Sequence, residues 1–169
     1  MDVQVLTEYF QRYGAVVIFV IVFLEYLNLP GFPSGVVMPL AGIWAYQGNI
    51  GFITALTLSV IAGLCGSWVL YFAGWYGGDF VLKKYVKKFP KQKEIIDKTI
   101  ERVRTKGYLG IFVGKLIPVL RTIISIPAGV LKVKFTGYTI ASTLGILVWN
   151  FVFVGAGYLF GETVLEILA

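Results

Sequence analysis

Two uninterrupted apolar runs, Phe52 to Gly78 and Phe135 to Gly161, each 27 residues long, constrain this chain most. At about 1.5 Å per residue each spans roughly 40 Å as a helix, more than the roughly 30 Å hydrocarbon core of a bilayer. Neither run carries a charge. Hydrophobic residues make up 57% of the 169-residue chain and charged ones 14%. Soluble domains average about 45–50% apolar and about 25% charged, so this chain lacks the polar surface to face water. It reads as an integral membrane protein.

The charge is concentrated between the runs. Asp79 to Lys106 holds ten of the cations and four of the anions, an excess of six that equals the whole net charge. This pattern predicts a cytoplasmic linker under the positive-inside rule. The aromatics lie in the apolar flanks, not among the basic residues as a nucleic-acid stacking surface requires. In the linker, Val81, Leu82, Tyr85, Val86 and Phe89 share helical spacing; Ile95, Ile96, Thr99, Ile100 and Val103 repeat it after Pro90. Both pieces are expected as amphipathic helices on the anionic inner leaflet.

Two shorter apolar stretches, Gly107 to Ile117 and Thr122 to Leu131, reach only about half a bilayer as helices. With Lys115, Pro118 and Arg121 at their junction, they predict a re-entrant hairpin. In the first half, Gly14 to Leu29 and Ser34 to Tyr46 flank Pro30-Gly31-Phe32-Pro33, which stops a helix. These arms suit a second hairpin, with two tilted full spans as the alternative.

An internal repeat favours the hairpin. Ala73-Gly74-Trp75-Tyr76-Gly77-Gly78-Asp79 aligns with Ala156-Gly157-Tyr158-Leu159-Phe160-Gly161-Glu162, and Met38-Pro39-Leu40-Ala41-Gly42 resembles Ile126-Pro127-Ala128-Gly129. The expected fold is therefore an all-α integral membrane protein. It is an inverted repeat of two units, each a re-entrant helical hairpin plus one transmembrane helix, joined by amphipathic interfacial helices. A single domain covers 1–169: first repeat 1–78, basic linker 79–106, second repeat 107–169. With the linker inside, both termini fall outside. The first segment lacks a basic n-region and a cleavage site, so no cleavable signal is expected.

Glu25, Lys115 and Arg121 are charges inside otherwise apolar segments. Such groups face a cavity or a partner. One reading is that they pair or that the cations snorkel. The other is an anion site: two cations near a broken helix suit a phosphate. The hairpin tips, Pro30 to Gly35 and Pro118 to Arg121, would meet near the midplane, with Asn28 and Ser34 adding hydrogen-bonding groups. Glu25 would counter the cations when the site is empty, or carry a proton. Gly74-x-x-x-Gly78 and Gly157-x-x-x-Gly161 read as helix-packing patterns. With no histidine and one cysteine, Cys65, no metal site or cofactor is expected, and no Walker loop or Ser/His/Asp set supports ATP use or hydrolysis.

Glu25-Tyr26-Leu27-Asn28-Leu29-Pro30-Gly31-Phe32-Pro33-Ser34-Gly35, Gly114-Lys115-Leu116-Ile117-Pro118-Val119-Leu120-Arg121-Thr122, Pro127-Ala128-Gly129, and Trp149 with Gly157-Tyr158 and Gly161 together resemble the DedA family, also called SNARE-associated or VTT-domain proteins. The resemblance covers roughly Gly14 to Gly161. It implies a bacterial inner-membrane protein that moves lipids, undecaprenyl phosphate or phosphatidylethanolamine, between leaflets. It also implies two opposed re-entrant hairpins around a buried site. Glu25 matches the family's first-hairpin acid, and Arg121 the arginine after the second-hairpin proline. Two departures stand out: Lys115 replaces an arginine found in many members, and Gly35 a second acid.

The function expected is therefore lipid translocation without a covalent step. The headgroup phosphate would bind Lys115 and Arg121, with a phosphatidylethanolamine-like lipid slightly preferred because the second acid is missing. Partners are membrane lipids; a homo-oligomer stays open and no nucleic acid is expected. The rival readings are a proton-coupled small-solute or ion transporter using Glu25, and a non-transporting scaffold working through the basic linker.

Overall fold

The computed structural model describes residues 3–27, 37–46, 50–88, 90 and 93–168, with side chains for 13–27, 38–46, 50–78, 80–88, 90, 93–161 and 163. Seven helices follow: α1 (Val3–Tyr26), α2 (Val37–Tyr46), α3 (Phe52–Lys88), α4 (Lys93–Lys115), α5 (Leu120–Ile123), α6 (Ser125–Val130) and α7 (Phe135–Leu168). Among the described residues there is no strand. The two 27-residue runs are the apolar parts of α3 and α7, the helices long and apolar enough to cross a membrane.

These two helices run antiparallel. Ser59, early in α3, faces Asn150, late in α7; the Trp68 indole near the end of the α3 run donates to Thr139 Oγ1 at 3.2 Å, near the start of α7. Two apolar clusters divide along them. One joins Ile18, Val22, Met38, Ala41, Ala55, Ala62, Ile146 and Val154. The other joins Tyr71, Val103, Ile111, Ile124, Ala128, Tyr138 and Ala141. Thus the N-terminal part of α3 packs with the C-terminal part of α7, and the reverse.

The short helices lock onto the long ones through glycine. A Cβ at Gly129 of α6 would strike the Tyr71 carbonyl and the Trp75 amide of α3. One at Gly42 of α2 would strike the Val154 carbonyl and the Tyr158 amide of α7. Under the sequence repeat, Tyr71 and Trp75 correspond to Val154 and Tyr158, so the two crossings use equivalent positions. The reciprocal contacts agree: Gly74 faces the Ile126 carbonyl, and Gly157 the Pro39 carbonyl. The structural correspondence therefore matches Gly42 with Gly129 and sets Pro39 opposite Ile126, one residue off Pro127.

Gly78 does not have the packing role expected of it. Its φ of 49° and ψ of −139° bend α3, and nothing lies within 4 Å of where its Cβ would be. Gly107 bends α4 in the same way, at φ 53° and ψ −129°. Both lie near the (60°, −120°) conformation that glycine dominates in type II′ turns. At Gly107 the bend is sharp enough for Arg102 backbone to reach the Cβ position of Gly110. Gly161, the repeat mate of Gly78, stays helical within α7 and packs against Ile43.

The basic linker is thus built from the end of α3 and the beginning of α4, each turned off at a glycine. Its apolar face differs from expectation: Ile96, Thr99 and Val103 are buried against the protein rather than left for lipid. On the exposed face Lys98 donates to Glu94 at 2.6 Å and holds that carboxyl below its usual range.

Candidate functional site

Polar residues inside an apolar bundle have nowhere to find water, so they must find each other. Here they converge where α1, α4 and α5 end or begin against α3 and α7. The last turn of α1 supplies Glu25 and Tyr26, the last residue of α4 is Lys115, and α5 carries Arg121. All four are buried.

Arg121 donates from Nη2 to Glu25 Oε1, an ion pair with both side chains at 1% exposure or less. The guanidinium lies between two aromatic rings, 4.8 Å from the Tyr26 centroid and 4.9 Å from that of Trp149. Desolvated cation–π contacts of this kind contribute about 2 kcal/mol or more. Tyr26 can lie flat on α3 because Gly63 and Gly66 face it; a Cβ at Gly63 would come within 2.9 Å of the ring. The ring is fixed at its far end: Tyr26 donates to Asn150 Oδ1 at 3.3 Å, and Asn150 Nδ2 donates to Ser59 Oγ at 3.0 Å.

Lys115 is held differently. Its ammonium donates to Ser67 Oγ at 2.8 Å, the Arg121 carbonyl at 2.9 Å and Ser125 Oγ at 3.0 Å. An ammonium has three N–H donors, and these three acceptors use them all. Lys115 therefore ties α3, α5 and α6 together, while the charge paired with Glu25 belongs to Arg121.

Between the two cations the chain makes a tight turn. The Leu120 amide donates to the Pro118 carbonyl at 2.7 Å, across Val119 at φ 66° and ψ −50°. This is the γ-turn of positive φ, rare and strained, here on a β-branched residue. It ends α4 and starts α5 within a few residues, which points Arg121 back into the protein. Pro118 itself is exposed at the turn.

Of the residues picked from sequence, Glu25, Lys115 and Arg121 come together; Asn28, Pro30, Pro33 and Ser34 lie outside the described residues. Sequence reasoning missed Tyr26, Ser59, Ser67, Ser125 and Asn150 as partners. A signal was present: Ser59, Ser67 and Asn150 are polar residues inside apolar spans, where they turn toward the protein interior. Two atoms around Arg121 have no hydrogen-bond partner among the described residues: the acceptor Glu25 Oε2 and the donor Trp149 Nε1.

Residues 32–159 match the VTT domain. The undecaprenyl phosphate transporter A of Bacillus subtilis is 35% identical over 130 residues, 77% of this chain and 66% of that protein. The protein of the same name from Staphylococcus aureus is 29% identical over 152 residues, 88% of this chain and 74% of that one. A Lactococcus lactis protein named alkaline phosphatase-like is 29% identical over 164 residues, 94% of this chain and 76% of that one. No solved structure gives a significant match. A domain match over most of its length, on a helical bundle with two long apolar helices, places this chain in the VTT-domain, or DedA, family of membrane proteins.

Proposed function

We propose that the protein moves a phosphate-bearing lipid between the leaflets of a bacterial cytoplasmic membrane, with Arg121 receiving the headgroup phosphate. The observation that carries this reading is the buried Arg121–Glu25 pair between Tyr26 and Trp149. Glu25 occupies the guanidinium as an anionic headgroup would. A phosphate arriving there exchanges one anion for another around a cation already desolvated, and the displaced Glu25 takes up a proton rather than stay a buried, unpaired charge. Trp149 Nε1 offers it a further donor.

Lys115 acts at one remove, by positioning Arg121 through its carbonyl. The relatives named undecaprenyl phosphate transporter move the preference to a polyprenyl phosphate, ahead of a phosphatidylethanolamine-like lipid. No covalent step is involved.

The same reading holds the architecture to be an inverted repeat with opposed re-entrant hairpins, the basic linker inside and both ends of the chain outside. The antiparallel α3 and α7, and the equivalent glycine crossings at Gly42 and Gly129, support it. Alternating exposure would come from one hairpin–span pair rocking against the other.

The test is leaflet exchange in vesicles containing fluorescent polyprenyl phosphate, or phosphatidylethanolamine of matched label. Exchange of the polyprenyl phosphate should exceed that of phosphatidylethanolamine, and Arg121→Ala should abolish it while the protein still folds. Equal exchange by the variant would refute the assignment of Arg121.

A further inference from the structure

A groove of about 550 Å³ runs between α4 and α7, lined by none of the residues of the Arg121 site. Its walls are Tyr108, Leu109 and Phe112 on one side and Gly137, Ile140 and Leu144 on the other. These side chains are apolar apart from the Tyr108 hydroxyl, and the groove is open: Leu109, Ile140 and Leu144 are all more than half exposed. Gly137 makes its floor at one end, because a side chain there would run into the Tyr108 ring.

That end is also where the cations are. The Gly107 bend turns the first part of α4 off the part that lines the groove, and exposed Lys106 lies two residues before Tyr108. Exposed Lys134 stands one turn before Gly137, its carbonyl accepting the Tyr138 amide at 3.0 Å. From Gly107 to Gly161 the sequence contains no Asp or Glu. The groove is therefore apolar along its length, with Lys106 and Lys134 next in the chain to the residues that close its end.

We propose that this groove seats an acyl chain of an anionic glycerophospholipid, whose phosphate meets Lys106 and Lys134, as a binding site separate from the transport site. The lipid belongs to the leaflet that faces the basic linker. Basic groups at the membrane surface beside an apolar surface recognise anionic headgroups in this way. A second copy of the chain suits the face less well, since self-association would bring these lysines against their own kind.

The experiment uses the purified full chain in neutral detergent, titrated with phosphatidylglycerol or with phosphatidylcholine of the same acyl chains. Retained lipid is counted by native mass spectrometry and stability by melting temperature. Phosphatidylglycerol should be retained at about tenfold lower concentration than phosphatidylcholine. Lys106→Ala with Lys134→Ala should remove that preference, and Ile140→Trp should lower retention of both lipids. Lys83→Ala with Lys87→Ala, in the linker, should leave the preference unchanged. A preference that survives the Lys106 and Lys134 changes overturns the site, as does one lost equally with Lys83 and Lys87. Dimers cross-linked through position 140 would overturn it in favour of self-association. Leaflet exchange plays no part in this readout, so its failure is separate from failure of the transport reading.

Discussion

Arg121 and Glu25 form an ion pair inside the protein although 96 positions separate them in the chain. The acid ends one helix and the arginine begins the segment after a strained turn, and neither is reached by solvent. Removing one partner of such a pair leaves an uncompensated charge, whereas removing both does not.

Arg121→Ala and Glu25→Ala should each therefore lose about 3–5 kcal/mol of stability. The double variant should lose clearly less than the two together. Thermal unfolding in detergent across the four-member cycle measures this; strict additivity would mean the pair contributes no coupling.

Lys115 should behave as a positioning group. Lys115→Met strips a donor from Ser67, Ser125 and the Arg121 carbonyl, at about 1–3 kcal/mol for each acceptor left buried without one. Lys115→Arg should not rescue it, because a planar fork cannot address three acceptors gathered round one ammonium. Ser67→Ala with Ser125→Ala should reproduce part of the loss, in both melting temperature and leaflet exchange.

The glycine crossings should be intolerant of one methyl group. Gly42→Ala, Gly74→Ala, Gly129→Ala and Gly157→Ala all meet backbone, which cannot turn aside, and overpacking of this kind costs about 1–3 kcal/mol or more. Gly155→Ala is the control: nothing lies within 4 Å of its Cβ position, so helix propensity alone should raise stability by up to about 1 kcal/mol. Melting temperatures of the five variants would separate packing from propensity.

Gly78 and Gly107 should be intolerant for a different reason. Both have open space around them, so size is irrelevant and the cost is backbone strain. Alanine at either should lose about 1–3 kcal/mol. The bend should also open, which distance measurement between labels at exposed positions 83 and 104 would detect as a change in linker geometry.

Tyr26→Phe should keep the ring over Arg121 but leave Asn150 Oδ1 without its donor, costing about 1–3 kcal/mol. Tyr26→Leu should cost more, because it also removes the aromatic face from the guanidinium. Melting curves of the two variants rank these contributions.

Much of the architecture was legible in the residues themselves. The two long apolar runs became the α3 and α7 cores with the same bounds, because an unbroken apolar stretch of that length has few structures open to it. The kinship of Gly74 and Gly157, aligned in the sequence, was legible too, and each meets a backbone carbonyl of a short helix. The role of Gly78 was not, since a glycine that packs and one that bends look identical in a sequence. Nor was the direction of the linker's apolar face: helical spacing says that Ile96 and Val103 share a side, not whether protein or lipid covers it.

The sequence by itself determined that Glu25, Lys115 and Arg121 lie inside apolar segments and need a partner, a cavity or a route to the interface, because charge is costly there. Which partner each one takes was decided only by the tertiary structure. Arg121 pairs with Glu25 between two rings, while Lys115 is spent on two serines and a carbonyl. Those partners come from different helices, and hydrogen bonds between helices depend on angles and distances that only their packing sets.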